Sequence, residues 1–270
     1  MMTSEKLERI LYVCSSDENV KAEVIRNHDN NLWWPIDITD KRMRLLIAGL
    51  STRISYNMIA TYQQVIADLN KHGYCKIVKM DDTYISQVVA PLGLLNARMT
   101  YLKSMISFIE NYYDTIDMYS NGELIELISK NVHGASYKVA QCCVLYLRGY
   151  YCGIMPVDSG MKDVLLPCIG FAEYKGSIAH ETLRKELEEI VVKLNLENTI
   201  AQNGYKEFIT IPKDTPLTWW SHLVLIYFKR FYCNKHKPDQ CPLCKEYELP
   251  CLCSKEIAND NNRRQLQSVG

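Results

Sequence analysis

Apolar residues recur with the period of an α-helix along most of this 270-residue chain. Spacings of three and four residues, which place side chains on one face of a helix, occur in five segments, within residues 43–50, 85–92, 102–109, 139–146 and 183–194. No segment shows a convincing alternation of apolar and polar residues of the kind that marks a half-buried strand. The pattern predicts an all-α fold built of short and medium helices with packed connections.

The composition indicates a folded protein with reduced thiols. Hydrophobic residues make up 47% of the chain, enough to fill a core. The first residues lack the apolar stretch of a signal peptide, and an odd count of 11 cysteines suits free thiols better than disulfides. The best candidate for an apolar run, residues 139–147, contains Gln141, ends at Arg148 and falls well short of the roughly 18 residues of a membrane-spanning helix. We expect a soluble, cytoplasmic monomer with no membrane partner.

The charge balance excludes a protein that coats nucleic acid through bulk electrostatics, because 31 basic residues face 31 acidic ones. Local basic clusters remain candidates for phosphate contacts, and each has the ordinary alternative of a solvated surface. These clusters are Lys41 with Arg42 and Arg44, Lys229 with Arg230, and Lys235 with His236 and Lys237.

Cysteines are concentrated near the C-terminus in the pattern Cys233-x7-Cys241-x2-Cys244-x6-Cys251, with Cys253 two residues on. Four thiolates gathered over so short a stretch can hold an iron-sulfur cluster or a zinc ion, and unligated thiols are the third possibility. The polar segment 254–270 that follows is expected to be a disordered tail.

A lysine follows a predicted turn at residues 132–136. Gly134 can adopt a positive φ, and Ser136 is a good N-cap for the next helix. Lys138 would then lie in the first turn of that helix and off its apolar stripe. The helix dipole and lost hydration both disfavour an ammonium group there, as a nucleophilic amine requires. The alternative is an ordinary solvated lysine.

An aspartate follows 20 residues later, in the sequence Pro156-Val157-Asp158. A carboxylate here could take part in chemistry beside an amine. It could equally be the N-cap of a helix that begins near Ser159.

Taken together, these segments resemble the helix-hairpin-helix superfamily of DNA glycosylases that includes endonuclease III. Residues 132–140 resemble that family's Leu-Pro-Gly-Val-Gly-Arg-Lys-Thr-Ala pattern, with Lys138 at the position of its lysine. Asp158 stands where the family has an aspartate after a Pro-Val pair. Residues 45–48, 92–98 and 222–233 resemble three more of the family's segments, so that the likeness spans residues 40–253.

The resemblance implies a two-lobed helical DNA glycosylase fold with a C-terminal iron-sulfur loop. One lobe of six helices, with the helix-hairpin-helix, would comprise residues 40–151. The second helical lobe, with the cysteines, would comprise residues 1–39 together with 152–253.

The resemblance also implies base-excision repair. The partner would be double-stranded DNA with a damaged or mismatched base, which places the protein at the nucleoid if it is bacterial. The enzyme would extrude the nucleotide and release its base. Lys138 would attack the sugar as the nucleophile and form a Schiff base, after which β-elimination nicks the strand. Asp158 would assist the attack and stabilise the cationic sugar.

Several residues would contact DNA if the resemblance holds. Backbone N–H groups of the 134–138 segment would bind a phosphate, Arg53 and Leu94 would lie on the elements that insert into the duplex, and a basic loop braced by the cluster would touch the backbone. The DNA-binding residues so implied are Gly134, Ala135, Ser136, Tyr137, Leu94, Arg53, Lys235 and Lys237.

The cofactor implied by the resemblance is a four-iron four-sulfur cluster, with zinc as the alternative. Its ligands would be Cys233, Cys241, Cys244 and Cys251, with Cys253 as an alternative fourth ligand. The family shares the central x2 pair, whereas each outer loop is one residue longer here.

Two other functions remain open at this stage. One is a non-catalytic iron-sulfur protein that binds DNA or a protein partner. The other is a monofunctional mismatch glycosylase that relies on Asp158 alone.

Overall fold

A computed structural model describes residues 2–234 and 238–247, and these residues form helices and connections with no β-strand. The prediction of an all-α protein is thereby confirmed for this part of the chain. Its α-helices are, in chain order, α1 (Ser4–Ser16), α2 (Glu18–His28), α3 (Lys41–Ala48), α4 (Ile59–His72), α5 (Tyr74–Ile77), α6 (Asp82–Val89), α7 (Leu95–Tyr112), α8 (Asn121–Asn131), α9 (Tyr137–Arg148), α10 (Leu166–Ile169), α11 (Ala179–Val191), α12 (Glu197–Gln202), α13 (Thr218–Phe228) and α14 (Pro242–Tyr247).

The chain folds into two compact units. The first, called the central unit below, comprises residues 29–156 and contains α3 to α9. The second, called the terminal unit, comprises residues 1–28 together with those from Val157 onward, and contains α1, α2 and α10 to α14. The terminal unit is therefore made of two chain segments, one that precedes the central unit in the sequence and one that follows it.

Helix α9 is the core of the central unit and packs against α3 and α8. Its predicted apolar stripe, at Val139, Cys142, Cys143 and Tyr146, is buried. Gln141, on the face expected to be polar, is buried as well. Between residues 139 and 147 the helix is enclosed on all sides, because its neighbours cover the whole circumference instead of one stripe.

Side chains of the central unit fix where its helices begin. Asp40 caps α3, since its Oδ1 accepts from the backbone N–H of Arg42 at 2.9 Å. Ser120 and Glu123 form a reciprocal capping box at the start of α8. These caps satisfy N–H groups that the first helical turn leaves without partners.

Helix α13 is the core of the terminal unit and packs against α1 and α2. Every residue from Thr218 to Phe228 is buried, and Trp219 Nε1 donates to the carbonyl of His28 at 2.9 Å. The helix runs on into a π-helical turn at Lys229–Cys233, and a second π-helical turn lies at Met161–Leu165. Such turns are rare and occur often at functional sites.

Among the helices of residues 2–234 and 238–247, none has both the length and the apolar composition required to span a bilayer.

Candidate nucleic-acid interface and its lysine and aspartate

A five-residue turn, 132–136, joins α8 to α9, as the sequence predicts. Gly134 has a φ of 86°, and the N–H of Ala135 donates to the carbonyl of Val132 at 3.0 Å. Ser136 occupies the N-cap position with a φ of −63°, which any residue adopts, but its side chain forms no capping hydrogen bond. Among the described residues, Ser136 thus leaves the N–H groups of the first turn of α9 uncapped, and an anion is the acceptor that a helix N-terminus favours.

The 132–136 turn rests on α7. The N–H of His133 donates to Ser104 Oγ at 2.9 Å. A Cβ at Gly134 would lie 3.6 Å from Tyr101 Cβ, so the turn approaches the helix closely there. Two residues of α7, one turn apart, therefore hold the turn in place.

Two further loops of the central unit each contain an exposed residue with a left-handed backbone. Arg53, in the loop between α3 and α4, has a φ of 55°. Leu94, directly before α7, has a φ of 51° and leaves 51% of its surface exposed. Non-glycine residues rarely adopt this conformation, which costs about 1–2 kcal/mol. The resemblance assigns both residues to DNA-inserting elements, and both are exposed, as insertion requires.

Arg98 of α7 connects these two loops. Its guanidinium donates to the carbonyls of Leu50 at 2.7 Å and Thr52 at 3.2 Å in the first loop. It also donates to the carbonyls of Leu92 at 3.0 Å and Gly93 at 2.8 Å in the second. Three of the segments that the resemblance assigns to DNA contact, the 132–136 turn and the two loops, are thus all held by one helix, α7.

Lys138 lies in the first turn of α9 and is half-buried. Within residues 2–234 and 238–247, its Nζ forms neither a hydrogen bond nor an ion pair. Burial raises the pKa of the Cys143 thiol to about 12, and the positive charge of Lys138 opposes this shift. Lys138 therefore lies at the N-terminal end of the helix that the 132–136 turn introduces.

Asp158 belongs to the terminal unit, whereas Lys138 belongs to the central one. The Oδ1 of Asp158 accepts from the N–H of Met161 at 2.7 Å. Asp158 thus caps the π-helical turn, which agrees with the N-cap role that the sequence offered as the alternative. Its Oδ2 accepts from Lys229 Nζ in a salt bridge. An N–H donor and a cation both stabilise the carboxylate over the carboxylic acid.

Lys229 is not part of a basic surface patch, contrary to the expectation from the sequence. It is only 4% exposed, and it reaches Asp158 from the π-helical turn that follows α13. A buried ammonium is tolerated because a carboxylate compensates for its lost hydration. The sequence could not indicate this pair, since its members are 71 residues apart.

The cluster of Lys41, Arg42 and Arg44 is also less free than its sequence suggests. Arg42 forms a salt bridge with Asp40 and lies 4.9 Å from the centroid of the Tyr74 ring. Arg44 donates to the carbonyls of Ile38 at 2.6 Å and Ile36 at 3.0 Å. Both arginines thus stabilise the central unit itself.

Three cysteines of the ladder lie within the described residues. Cys233 and Cys241 are buried and Cys244 is half-buried. Within residues 2–234 and 238–247, no three His, Cys, Asp or Glu side chains are grouped as metal ligands. Cys251 and Cys253 lie outside those residues, as do Lys235, Lys237 and the 254–270 segment.

A further thiol, Cys14 of α1, lies near the ladder and was missed at the sequence level. Burial raises its pKa well above the ordinary value, with smaller contributions from Cys241 and Asp17. Asp17 in turn accepts a hydrogen bond from Tyr232. A raised pKa keeps this thiol protonated and disfavours the thiolate that binds a metal, so Cys14 is a neighbour of the ladder and not one of its ligands. Helix α1 packs directly against α14, the helix that carries Cys244.

Comparison with protein-family models, with curated proteins and with solved structures finds no match for this chain.

Proposed function

We propose that this chain is a base-excision DNA glycosylase with AP lyase activity. The observation that carries the proposal is the arrangement around α7. The 132–136 turn, which leads to Lys138, and the loops of Arg53 and Leu94 all rest on this one helix. An exposed apolar residue, an exposed arginine and a helix N-terminus that Ser136 leaves uncapped are groups suited to double-stranded DNA.

In this proposal the neutral Nζ of Lys138 attacks the sugar C1′ of an extruded nucleotide. The C1′–N bond breaks, and its electron pair leaves with the base. Loss of the amine proton and opening of the sugar ring give a Schiff base. Removal of a C2′ proton then expels the 3′ phosphate and nicks the strand. The absence of an ion pair on Lys138 within the described residues supports its role, because a paired ammonium would have to give up that partner first.

Asp158 would act as a carboxylate. Its hydrogen bond from Met161 and its salt bridge with Lys229 both support this form. A fixed negative charge stabilises the positive charge that develops on the sugar while the base departs.

Borohydride trapping tests the proposal directly. Reduction of the Schiff base in the presence of duplex DNA with an abasic site should leave a stable protein–DNA adduct. Lys138→Ala should abolish the adduct, whereas Lys130→Ala should retain it. Lys130 is a matched control because it is an exposed lysine of α8, paired with Glu126 and only eight positions away. Persistence of the adduct in Lys138→Ala would contradict the assignment of the nucleophile.

A panel of lesion-bearing duplexes distinguishes the alternatives. Base release that survives Lys138→Ala and disappears in Asp158→Asn would identify a monofunctional glycosylase, a possibility favoured by the stabilised carboxylate of Asp158. DNA binding without base release from any duplex would identify a non-catalytic binding protein.

The proposed enzyme carries a four-iron four-sulfur cluster, with zinc as the alternative. The ligands would be Cys233, Cys241 and Cys244 with Cys251, or with Cys253 in its place. The burial of Cys233 and Cys241 supports this assignment, since a protein core shields such a cluster from solvent. When bound, the cluster would brace the loop of Lys235 and Lys237 for contact with the DNA backbone.

A further inference from the structure

Arg98 is a buried arginine whose guanidinium binds backbone carbonyls. It is 4% exposed, and its guanidinium donates to four carbonyl oxygens. Within residues 2–234 and 238–247 no carboxylate pairs with it. The planar fork of an arginine can bind several acceptors at fixed angles, which the ammonium of a lysine cannot do.

The four carbonyls belong to two separate segments. Those of Leu50 and Thr52 lie in the loop after α3, and those of Leu92 and Gly93 lie in the turn before α7. One side chain thus joins two loops that are about 40 residues apart in the sequence. Tyr101, one helical turn further along α7, adds a contact to the same region, because its OH accepts from the N–H of Gly49 at 3.1 Å.

Arg53 and Leu94, called the two loop tips below, each directly follow a residue whose carbonyl Arg98 binds. The carbonyl of Thr52 belongs to the peptide bond that leads into Arg53, and that of Gly93 belongs to the peptide bond that leads into Leu94. Of the non-glycine residues with positive φ in the described chain, Arg53, Leu94 and Asp214, two therefore follow directly after a carbonyl that Arg98 holds. Strained residues persist where the surroundings determine their conformation, and here one buried side chain does so at both tips.

We propose that Arg98 is a positioning residue. It holds the backbone at Arg53 and at Leu94 rigid, so that both side chains are in place to contact double-stranded DNA. This inference rests on the proposed function, and it extends that function to the step that opens the duplex. Leu94 supplies an apolar wedge between bases, and Arg53 supplies a cation beside it. Because both tips are fixed before DNA binds, their ordering does not have to be supplied by the binding energy.

Base extrusion is the step that should depend on Arg98. In the experiment, single-turnover base release is compared between a duplex with a paired lesion and a duplex with the same lesion in a bulge, where no pair has to be opened. Arg98→Met should slow release from the paired duplex by about 10- to 100-fold. The effect on the bulged duplex should be several-fold smaller. Arg98→Lys should lie between Met and the wild type, since it keeps the charge but loses the fork.

Arg148→Met is the matched control. Arg148 is a partly buried arginine of the same unit, and its guanidinium donates to the carbonyls of Ile116 and Tyr119 and to Asn121, away from both tips. A variant that only loses stability should slow base release from the paired and the bulged duplex by the same factor, and this is the result expected for Arg148→Met. If Arg98→Met also affects both equally, the positioning role is overturned.

A second variant tests whether the Arg98 hydrogen bonds, called the clamp below, act through Leu94. Leu94→Ala should itself slow release from the paired duplex. Combined with Arg98→Met it should slow release by less than the product of the two separate factors, because both changes disable one element. Independent, multiplicative effects would contradict the inference.

NMR relaxation of the wild-type protein without DNA provides a second test. It applies even if Arg98→Met does not fold or if the wild type releases no base. The backbone amides of Arg53 and Leu94 should have NMR order parameters near 0.85, like those of a rigid helix. Values below about 0.6 at either tip would overturn the clamp. The lack of base release with rigid tips would instead contradict the proposed function and leave the clamp standing.

Discussion

A buried ammonium requires a partner that compensates for the hydration it has lost, and Lys229 has one in Asp158. The lysine side chain is 5% exposed and the aspartate side chain 29% exposed. The pair therefore combines two roles. It holds the carboxylate of Asp158 in place for the proposed chemistry, and it joins the two π-helical turns of the terminal unit.

Asp158→Asn should consequently destabilise the protein as well as impair base release. We expect the free energy of unfolding to fall by about 2–4 kcal/mol, because the change removes the carboxylate that faces a buried ammonium. The double variant Asp158→Asn with Lys229→Met should recover part of that loss. Urea denaturation of the two single variants and the double variant measures the coupling energy. Additive effects of the two changes would contradict the importance of the pair.

Gly49 is the residue at which a single methyl group should matter most to the central unit. A Cβ at this position would lie 2.1 Å from the Tyr101 ring, which is rigid and cannot move aside. Gly49→Ala should lower the free energy of unfolding by about 2–3 kcal/mol through overpacking. Gly122→Ala, where nothing lies within 4 Å, should be nearly neutral. Equal urea midpoints for the two variants would contradict the close packing of Gly49 on α7.

At the scale of the elements, α7 and α9 divide the work of the central unit. Helix α9 provides the buried core and, in its first turn, Lys138. Helix α7 provides Arg98, Tyr101 and Ser104, which hold the three segments expected to meet DNA. The two helices meet where Tyr101 OH lies 3.4 Å from Cys143 Sγ, so that the loops are connected to the core by a direct contact.

The enclosure of α9 predicts how stability depends on alkaline pH. Burial raises the pKa of Cys143 to about 12 from an ordinary value of 9.0. Above about pH 9 the unfolded chain loses this thiol proton while the folded chain keeps it, so stability that is fully present below pH 9 is lost as the pH rises toward 12. Cys143→Ala should therefore show a shallower fall of the unfolding free energy between about pH 9 and about pH 11.

The control for this titration is Cys75→Ala, because Cys75 is exposed. Its stability should follow the wild-type pH dependence. Parallel curves for Cys143→Ala and the wild type would contradict the contribution of the buried thiol.

At the scale of the whole molecule, the two units have different parts in the proposed function. The central unit carries the proposed nucleophile and the loops expected to meet DNA. The terminal unit carries Asp158, the cysteine ladder and Cys14, with α1 packed against α14. Residues from the first and last helices of the described chain thereby meet, because α1, which carries Cys14, packs against α14, which carries Cys244.

Anaerobically purified protein should show the broad visible absorbance of an iron-sulfur cluster and contain iron. Cys241→Ser should lose both, because it replaces one of the proposed thiolate ligands. Cys75→Ser, outside the ladder, should retain both. Colourless protein that contains zinc would replace the cluster with the zinc alternative, and protein free of either metal would contradict the proposed cofactor.

The sequence by itself determined the helical class of the described chain, the turn at 132–136 and the place of Lys138 at the start of α9. Helical periodicity, a glycine in a turn and an N-cap position are all encoded within a few neighbouring residues, and this is why they could be predicted. The enclosure of Gln141 could not be predicted, because it depends on which helices surround α9 and not on the helix's own pattern.

Only the tertiary structure decided what holds the candidate site together. The Arg98 hydrogen bonds, the Lys229–Asp158 pair and the packing of α1 against α14 each join residues far apart in the chain. In the sequence Arg98 and Lys229 are indistinguishable from solvated charges, since a charge reveals its role only when folding removes its water and supplies other partners. The sequence determined local conformation through local sterics, and folding determined these partners through burial.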